Sequence, residues 1–153
     1  MSTEANKALV RRLFEEVFNN RNLALADELV DPTGVNHETP PGTPPESEGP
    51  ATPAGPEHVR QVVGLLATAF PDFRFTIEDL IAEGDAVVMR AIFSGTHLGE
   101  FMGIPPTGKR CSQRHVHFIC VRNGKTVEHS ALRDDLTLLQ QLGVIRLPGQ
   151  PER

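Results

Sequence analysis

The sequence contains no tryptophan and no tyrosine, and only two of its 153 residues are cysteines. Without tyrosine, no phenol is available as a proton donor or hydrogen-bonding group in a site. The formal net charge is −5, and no basic stripe or series of base-stacking aromatic residues occurs along the chain. Nucleic-acid binding depends on such features, so we expect no nucleic-acid partner.

Long apolar runs are also missing. No segment approaches the length that spans a bilayer, and the opening MSTEANKALV lacks the apolar stretch of a signal peptide. Cys111 and Cys120 fit neither a C-x-x-C nor a zinc-finger spacing. On one strand their Cα atoms would lie about 30 Å apart, too far for a disulfide. These absences predict a cytoplasmic protein with reduced thiols and no membrane partner.

Helical periodicity and capping residues predict four helices, the first of them at the start of the chain. Apolar residues recur at helical spacing as far as Phe18, behind a capping Ser2 or Thr3. Asp134 or Asp135 can cap a last helix, which Gly143 ends. Besides the first helix, the predicted helices cover residues 23–30, 57–70 and 136–142.

The second half of the chain is typical of antiparallel strands. The predicted strands cover residues 73–82, 86–96, 109–121 and 126–133. Asn123-Gly124 joins the last two, and this dipeptide favours the positive-φ geometry of a tight hairpin. Helices followed by strands indicate an α+β fold, in which a curved antiparallel sheet wraps around helices and leaves a cone-shaped pocket. At this length, residues 1–153 are expected to form one domain.

Seven prolines fall between Thr39 and Pro56, which excludes a regular helix or a central strand there. A loop of this length within a small domain is either a lid over a site or a disordered insertion. The composition alone favours neither alternative.

The predicted hairpin concentrates histidine on one side. Side chains alternate along a strand, so two sets of residues each share a face. The sets are Gln113, His115, His117 and Ile119 on the first strand, and Val127, His129, Ala131 and Arg133 on the second. If these faces coincide, three histidines and an arginine line one concave surface. Imidazoles titrate near neutral pH, so His117 and His129 are candidate general acid–base groups.

Other polar residues are candidates for holding a substrate, each with a structural alternative. The Asn36-His37 pair could bind substrate or form a turn before the proline-rich segment. Arg90 and Arg133 could hold a carboxylate, enolate or ester oxygen, or form salt bridges with neighbouring strands. Asp134 could supply a catalytic acid, although a helix cap explains it better.

A metal site is a weaker alternative. Neutral imidazoles are metal ligands, and several histidines could surround one cavity. However, the spacing matches no known metal motif, so we expect no metal and no cofactor. The histidines in question are His37, His97, His115, His117 and His129.

Three segments together resemble the SnoaL-like polyketide cyclase family of the nuclear transport factor 2-like superfamily. They are FPDFRFTIEDLIAEGDAVVMRAIFSGTHLGEFMGIPPTGKR, VRNGKTVEH and LLQQLG. The resemblance runs from about Lys7 to Gly143, interrupted by the proline-rich segment. It implies a cone of curved antiparallel sheet and about three helices around a deep pocket, usually assembled as a dimer or higher oligomer.

The resemblance also implies a function. Such cyclases are metal-free acid–base catalysts of an intramolecular aldol ring closure in a polyketide ester, an apolar and polycyclic substrate. A common form of the family pattern has an aspartate where this chain has Ala131, and a tyrosine where it has Phe14. His117 or His129 would then replace the aspartate as base, with Asp134 as a further acid. His115, Asn36, His37, Arg90, Arg133 and Phe14 would contact the substrate. The alternatives are epoxide opening, dehydration or isomerisation in the same pocket, and ligand binding without catalysis.

Overall fold

Residues 2–151, which the computed structural model describes, form a curved six-stranded sheet with N-terminal helices packed against it. This arrangement confirms the predicted α+β cone. The helices are α1 (Thr3–Arg12), α2 (Ala26–Leu29), α3 (Pro56–Ala69) and α4 (Asp135–Gln141). The strands are β1 (Val30–Asn36), β2 (Thr52–Pro53), β3 (Arg74–Glu83), β4 (Ala86–Thr96), β5 (Arg110–Arg122) and β6 (Lys125–Arg133). No helix in this part of the chain is long and apolar enough to cross a membrane.

The first helix begins at the predicted cap, since the Ser2 hydroxyl accepts a hydrogen bond from the Ala5 amide at 3.1 Å. Beyond Arg12 the helix continues as wider π-helical turns over Leu13–Asn19. Pi-helical turns often occur at functional sites. Here they bury two adjacent pairs of apolar side chains, Leu13 with Phe14 and Val17 with Phe18.

The strands lie in the order β2-β1-β6-β5-β4-β3. The four strands from β6 to β3 pair in antiparallel fashion, as predicted, whereas β1 runs parallel to β6. The predicted helix over residues 23–30 is wrong at its end, because Val30 already pairs with Thr126. The sequence pattern does not predict β1, since Pro32 and Gly34 are both disfavoured within strands.

The predicted hairpin is confirmed between β5 and β6. Asn123 and Gly124 have φ values of 52° and 74°, the left-handed geometry that a two-residue hairpin turn requires. A register shift near Val121 changes one predicted face, because Thr126 rather than Val127 is the buried partner on β6.

Alternation along β5 separates the inner face of the sheet from the outer face. Every second residue from Cys111 to Val121 is buried, and this set contains the predicted imidazole face. Cys111 faces inward and Cys120 is partly exposed, and both are free thiols. The inner face therefore carries the histidines towards the helices.

The proline-rich segment 39–56 contains a short 3-10 turn, Pro45–Ser47, and strand β2. Pro41 and Ala54 from this segment line the cavity described below, while most residues between them are exposed. The two ends of the segment therefore lie at the cavity, and its role as a lid stays a prediction.

Candidate active site

A cavity of about 350 Å³ opens between the inner face of the sheet, the π-helical turns and α3. Its apolar wall includes Leu13, Phe14, Phe18, Val59, Val62, Leu66, Phe75, Phe93, Phe101 and Ile119. Its polar side chains are Asn36, Glu38, His58, Gln113, His115, His117, Thr126, His129, Arg133 and Asp135. An apolar wall with a few convergent polar groups is the usual form of a small-molecule site.

Strand geometry brings three histidines of this cavity into one row. His115 and His117 are two residues apart on the inner face of β5, so their side chains point the same way. His129 lies on the adjacent strand, directly opposite Ile119. It is therefore a diagonal neighbour of His117 on the same face, within reach of a ring side chain.

The three imidazoles form a continuous series of contacts, which we call the histidine row (His115, His117 and His129). Nδ1 of His115 lies 3.2 Å from Nε2 of His117. Nδ1 of His117 lies 2.8 Å from Nε2 of His129. Nδ1 of His129 lies 3.0 Å from Oδ1 of Asn36, so the row ends on an amide of β1.

A carboxylate follows the amide at this end of the row. Asn36 donates from Nδ2 to Oε2 of Glu38 at 3.2 Å and accepts the backbone N–H of Glu38 at 3.3 Å. Oε2 of Glu38 also lies 3.5 Å from Nδ1 of His129. Arg133 forms an ion pair with the other carboxylate oxygen of Glu38. The parallel pairing of β1 with β6 makes this possible, because it sets Asn36 opposite His129.

Aromatic rings enclose the inner part of the row. The Phe14 ring meets His117 edge-on at 5.0 Å between centroids, and the Phe93 ring stacks on His115 at 5.6 Å. Phe75 contacts both imidazoles edge-on. As a result, His115 and His117 are only 5% and 4% exposed.

Burial keeps the histidine row in its neutral form. Burial lowers the pKa of His115 to about 3, with further lowering by the charge of Arg133 and by His129. Burial likewise lowers the pKa of His117 and of His129, but for His129 the Glu38 carboxylate acts in the opposite direction. Neutral imidazoles can accept a proton at one nitrogen and donate at the other, which is the property that a proton-transfer site needs.

Six of the nine predicted site residues meet at this cavity. They are Phe14, Asn36, His115, His117, His129 and Arg133. His115 is buried within the row and does not lie in solvent at a strand end.

The predicted cavity position of Arg90 is wrong. Arg90 lies on the outer face of β4, with its side chain 54% exposed, and pairs with Asp79 and Glu78 of β3. The salt-bridge alternative is therefore the one that the structure shows. Arg90 is separated from the cavity by the sheet itself.

Two other predicted residues also lie away from the cavity wall. The Asp134 carboxylate accepts hydrogen bonds from the Thr137 amide and hydroxyl at 3.1 Å and 2.6 Å, so it caps α4. His37 follows β1 with its ring 3.3 Å from a Glu128 carboxylate oxygen, on an exposed part of the surface. Neither side chain lines the cavity among the residues described.

Sequence reasoning missed Glu38 and His58. Glu38 stands two residues after Asn36, a spacing that puts both side chains on one face once the backbone is extended. That signal is present in the sequence, but the strand itself is not predicted. His58 lies in the first turn of α3 and lines the cavity, and no motif marks it.

The five-histidine metal set is not assembled. The ring of His97 bonds to Thr107 through Nδ1, at 3.0 Å from the hydroxyl oxygen, and His37 faces Glu128. Across residues 2–151, no group of three or more histidine, cysteine, aspartate or glutamate side chains is arranged to hold a metal ion.

Comparison with known proteins gives one consistent family. The family model described as SnoaL-like polyketide cyclase matches residues 8–142. The chain is 31% identical over 127 residues to nogalonic acid methyl ester cyclase of Streptomyces nogalater, covering 82% of this chain and 89% of the relative. It is 30% identical over 149 residues to aklanonic acid methyl ester cyclase DnrD of Streptomyces peucetius, covering 94% and 92%.

A solved structure agrees with these matches. The crystal structure of wild-type IdmH from Streptomyces antibioticus superimposes with a TM-score of 0.74 at 35% sequence identity. The superposition covers 91% of this chain and 99% of that one.

Proposed function

Because this chain belongs to the SnoaL-like polyketide cyclase family, we propose that it closes a ring in a polyketide-like carbonyl substrate by an intramolecular aldol addition. The observation that carries the proposal is the histidine row, a series of linked neutral imidazoles within an apolar cavity. The relatives are named for methyl esters, so the substrate class is an ester with further carbonyl groups.

An aldol closure needs a base that removes one proton from the substrate and an acid that later returns one to it. A neutral imidazole of the row accepts the proton from a carbon beside a carbonyl group, and the C–H electron pair becomes an enolate. The enolate carbon attacks a second carbonyl carbon of the same molecule, so a C–C bond forms and an alkoxide results. The imidazolium returns the proton to the alkoxide, and every atom of the substrate is retained.

The side chains around the row have supporting roles in this proposal. His117 and His129 carry the proton, as the sequence indicates, and His115 extends the row inward. The amide of Asn36 is already bonded to His129 and Glu38, so it acts on the substrate through His129. Phe14 and the other aromatic rings exclude water, which makes hydrogen bonds and charges in the cavity stronger.

A second candidate function is ligand binding without catalysis. Ala131 pairs with His117, so no carboxylate is present at the position where the family pattern has an aspartate. A pocket that has lost its acid can keep its affinity for the ligand. The same pocket could instead catalyse epoxide opening, dehydration or isomerisation.

Incubation of the purified protein with aklanonic and nogalonic acid methyl esters tests the proposal. We expect a product of unchanged mass with a new ring, detected by chromatography and mass spectrometry. His117→Ala with His129→Ala should lower kcat by about 100-fold or more, the usual contribution of a general acid–base group. Full turnover by a folded double variant would refute the proposal. Binding of either ester without conversion by the wild type would favour the second candidate.

A further inference from the structure

The hydrogen bonds at the Asn36 end of the histidine row have a fixed direction. Oδ1 of Asn36 accepts the backbone N–H of Glu38, and Nδ2 of Asn36 donates to the Glu38 carboxylate. Both neighbours of Nδ1 of His129 are therefore acceptor oxygens, Oδ1 of Asn36 at 3.0 Å and Oε2 of Glu38 at 3.5 Å. Nδ1 of His129 must carry the proton in order to make either contact favourable.

The orientation of this hydrogen bond fixes the orientation of the hydrogen bonds between the three rings. A neutral imidazole has one N–H, so protonation of His129 at Nδ1 leaves its Nε2 as an acceptor. The Nδ1 atom of His117, 2.8 Å away, then donates to it. By the same reasoning Nε2 of His117 accepts from Nδ1 of His115 at 3.2 Å. All three rings are thereby held in the Nδ1–H form.

One nitrogen remains at the inner end of the row. Nε2 of His115 is unprotonated in this arrangement, and it is buried without a hydrogen-bond partner among residues 2–151. His115 itself lines the cavity. Among the nitrogens of the row, Nε2 of His115 is the one without a hydrogen-bond partner within residues 2–151, so it is the one free to accept a proton from a molecule bound in the cavity.

We propose that the histidine row is a proton relay whose hydrogen bonds all point the same way before the reaction, with His115 as the base and Glu38 as the positioning residue that sets this direction. This inference rests on the proposed function. The substrate C–H bond breaks and an N–H bond forms at Nε2 of His115. The Nδ1 proton of His115 passes to Nε2 of His117, and the Nδ1 proton of His117 passes to Nε2 of His129. The positive charge then rests on His129, and the reverse transfers return a proton to the alkoxide.

The charges around the row favour this end point. His115 lies between aromatic rings and faces the cation of Arg133, so a positive charge there is unfavourable. His129 is the ring nearest a carboxylate, since Glu38 is 3.5 Å away. The other charged or titratable groups that act on His129 are Arg133, His58 and His37. An opposite charge beside an imidazolium stabilises it, so the proton is drawn outward along the row.

Nuclear magnetic resonance of the full chain labelled with ¹⁵N at histidine tests the fixed direction without any substrate. Long-range ¹H–¹⁵N correlations distinguish Nδ1–H from Nε2–H rings, and single His→Gln variants assign the signals. We expect the Nδ1–H form at all three rings near neutral pH. An Nε2–H form at His115 or His117 would overturn the relay.

Kinetics of Glu38→Gln tests the positioning role. The substitution keeps the shape of the side chain but removes the charge that stabilises the His129 imidazolium. We expect kcat for cyclisation of the ester to fall by 10-fold or more with little change in KM. We also expect the pH–rate profile to shift. Glu128→Gln is the matched control, because that carboxylate pairs with the exposed His37 and should change kcat less than two-fold. Equal kcat values for the two variants would overturn the role of Glu38.

The two experiments separate this inference from the proposed function. Nδ1–H rings in a protein that cyclises no ester would refute the proposed function while the fixed direction stands. Cyclisation by a protein whose His115 carries its proton on Nε2 would leave the proposed function in place and refute the relay.

Discussion

At the scale of single residues, the same imidazole side chain has several different environments in this protein. His97 is buried and holds a loop through Thr107, while His37 is exposed beside Glu128. The rings of the histidine row are buried among aromatic side chains and bond to each other. Environment rather than residue type therefore distinguishes the histidines that we propose for proton transfer from the other histidines.

The depressed pKa of His115 predicts a loss of stability in acid. Its folded pKa is about 3, whereas an unfolded histidine titrates near 6.5, so only the unfolded state takes up this proton between those values. Stability is full above about pH 6.5 and falls as the pH drops towards 3. This group alone should lower the free energy of unfolding by about 2 kcal/mol between pH 7 and pH 5.

Urea denaturation at pH 7 and pH 5 checks this prediction. The other charged or titratable side chains that line the cavity are Glu38, His58, His117, His129, Arg133 and Asp135. Because several of them also titrate, the comparison is between the pH dependence of His115→Gln and that of the wild type. We expect a smaller loss in the variant, with His37→Gln as the reference for removal of an exposed imidazole. An identical loss of stability between pH 7 and pH 5 in wild type and His115→Gln would contradict the lowered pKa of His115.

Ala131 gives a second prediction at the residue scale. Paired residues on one face of an antiparallel sheet have Cβ atoms about 5 Å apart, so Ala131→Asp places a carboxylate beside His117. We expect the pKa of His117 to rise from its lowered value, because a nearby negative charge stabilises the imidazolium. A histidine titration followed by nuclear magnetic resonance measures this, and Ala131→Asn is the uncharged control. An unchanged pKa in Ala131→Asp would show that the two side chains do not meet.

At the scale of elements, local signals in the sequence were sufficient for the hairpin and for most helices and strands. The Asn123-Gly124 turn, the Ser2 cap and the alternation along β5 all act over a few residues, and the structure has each of them. The same alternation predicts that His115 and His117 share the inner face.

The end of the site that bears Glu38 could not be predicted in this way. Its position depends on β1, whose sequence contains a proline and a glycine, and on pairing between residues 93 positions apart, Asn36 and His129. Such pairing leaves no local periodicity in the sequence. The wrong position predicted for Arg90 has another cause. Alternation along a strand groups residues by face, but it does not show which face is the inner one.

The cap of α4 gives a prediction at the scale of elements. Asp134 accepts two hydrogen bonds from Thr137 at the start of the helix, and these lower the pKa of its carboxyl. Asp134→Ala should reduce the free energy of unfolding by about 1 kcal/mol, the usual effect of losing an N-cap. Asp134→Ser retains an acceptor oxygen and should recover most of the loss in urea denaturation. A large loss of turnover in a stable Asp134→Ser protein would instead support the alternative of a catalytic Asp134.

At the scale of the whole molecule, the outer face of the sheet is the counterpart of the cavity. Ile81, Phe118 and Leu132 are 67%, 47% and 72% exposed on it, a large apolar exposure for a sheet face. Charges of both signs surround these residues, since Arg90 and Arg114 lie beside Glu78 on the same face. A face with both apolar side chains and paired opposite charges can be complementary to a second copy of itself.

We therefore predict a homodimer in which the outer faces of two sheets meet. Light scattering after size exclusion should give a mass of twice 16.8 kDa for the wild type. Leu132→Arg with Phe118→Lys should give the monomer mass, because each buried cation would lose its hydration without gaining a partner. Leu147→Lys changes an exposed apolar residue outside the sheet and should leave the dimer intact. A monomer mass for the wild type at micromolar concentrations would contradict the predicted homodimer. If the double variant keeps the dimer mass, two copies meet through a different surface.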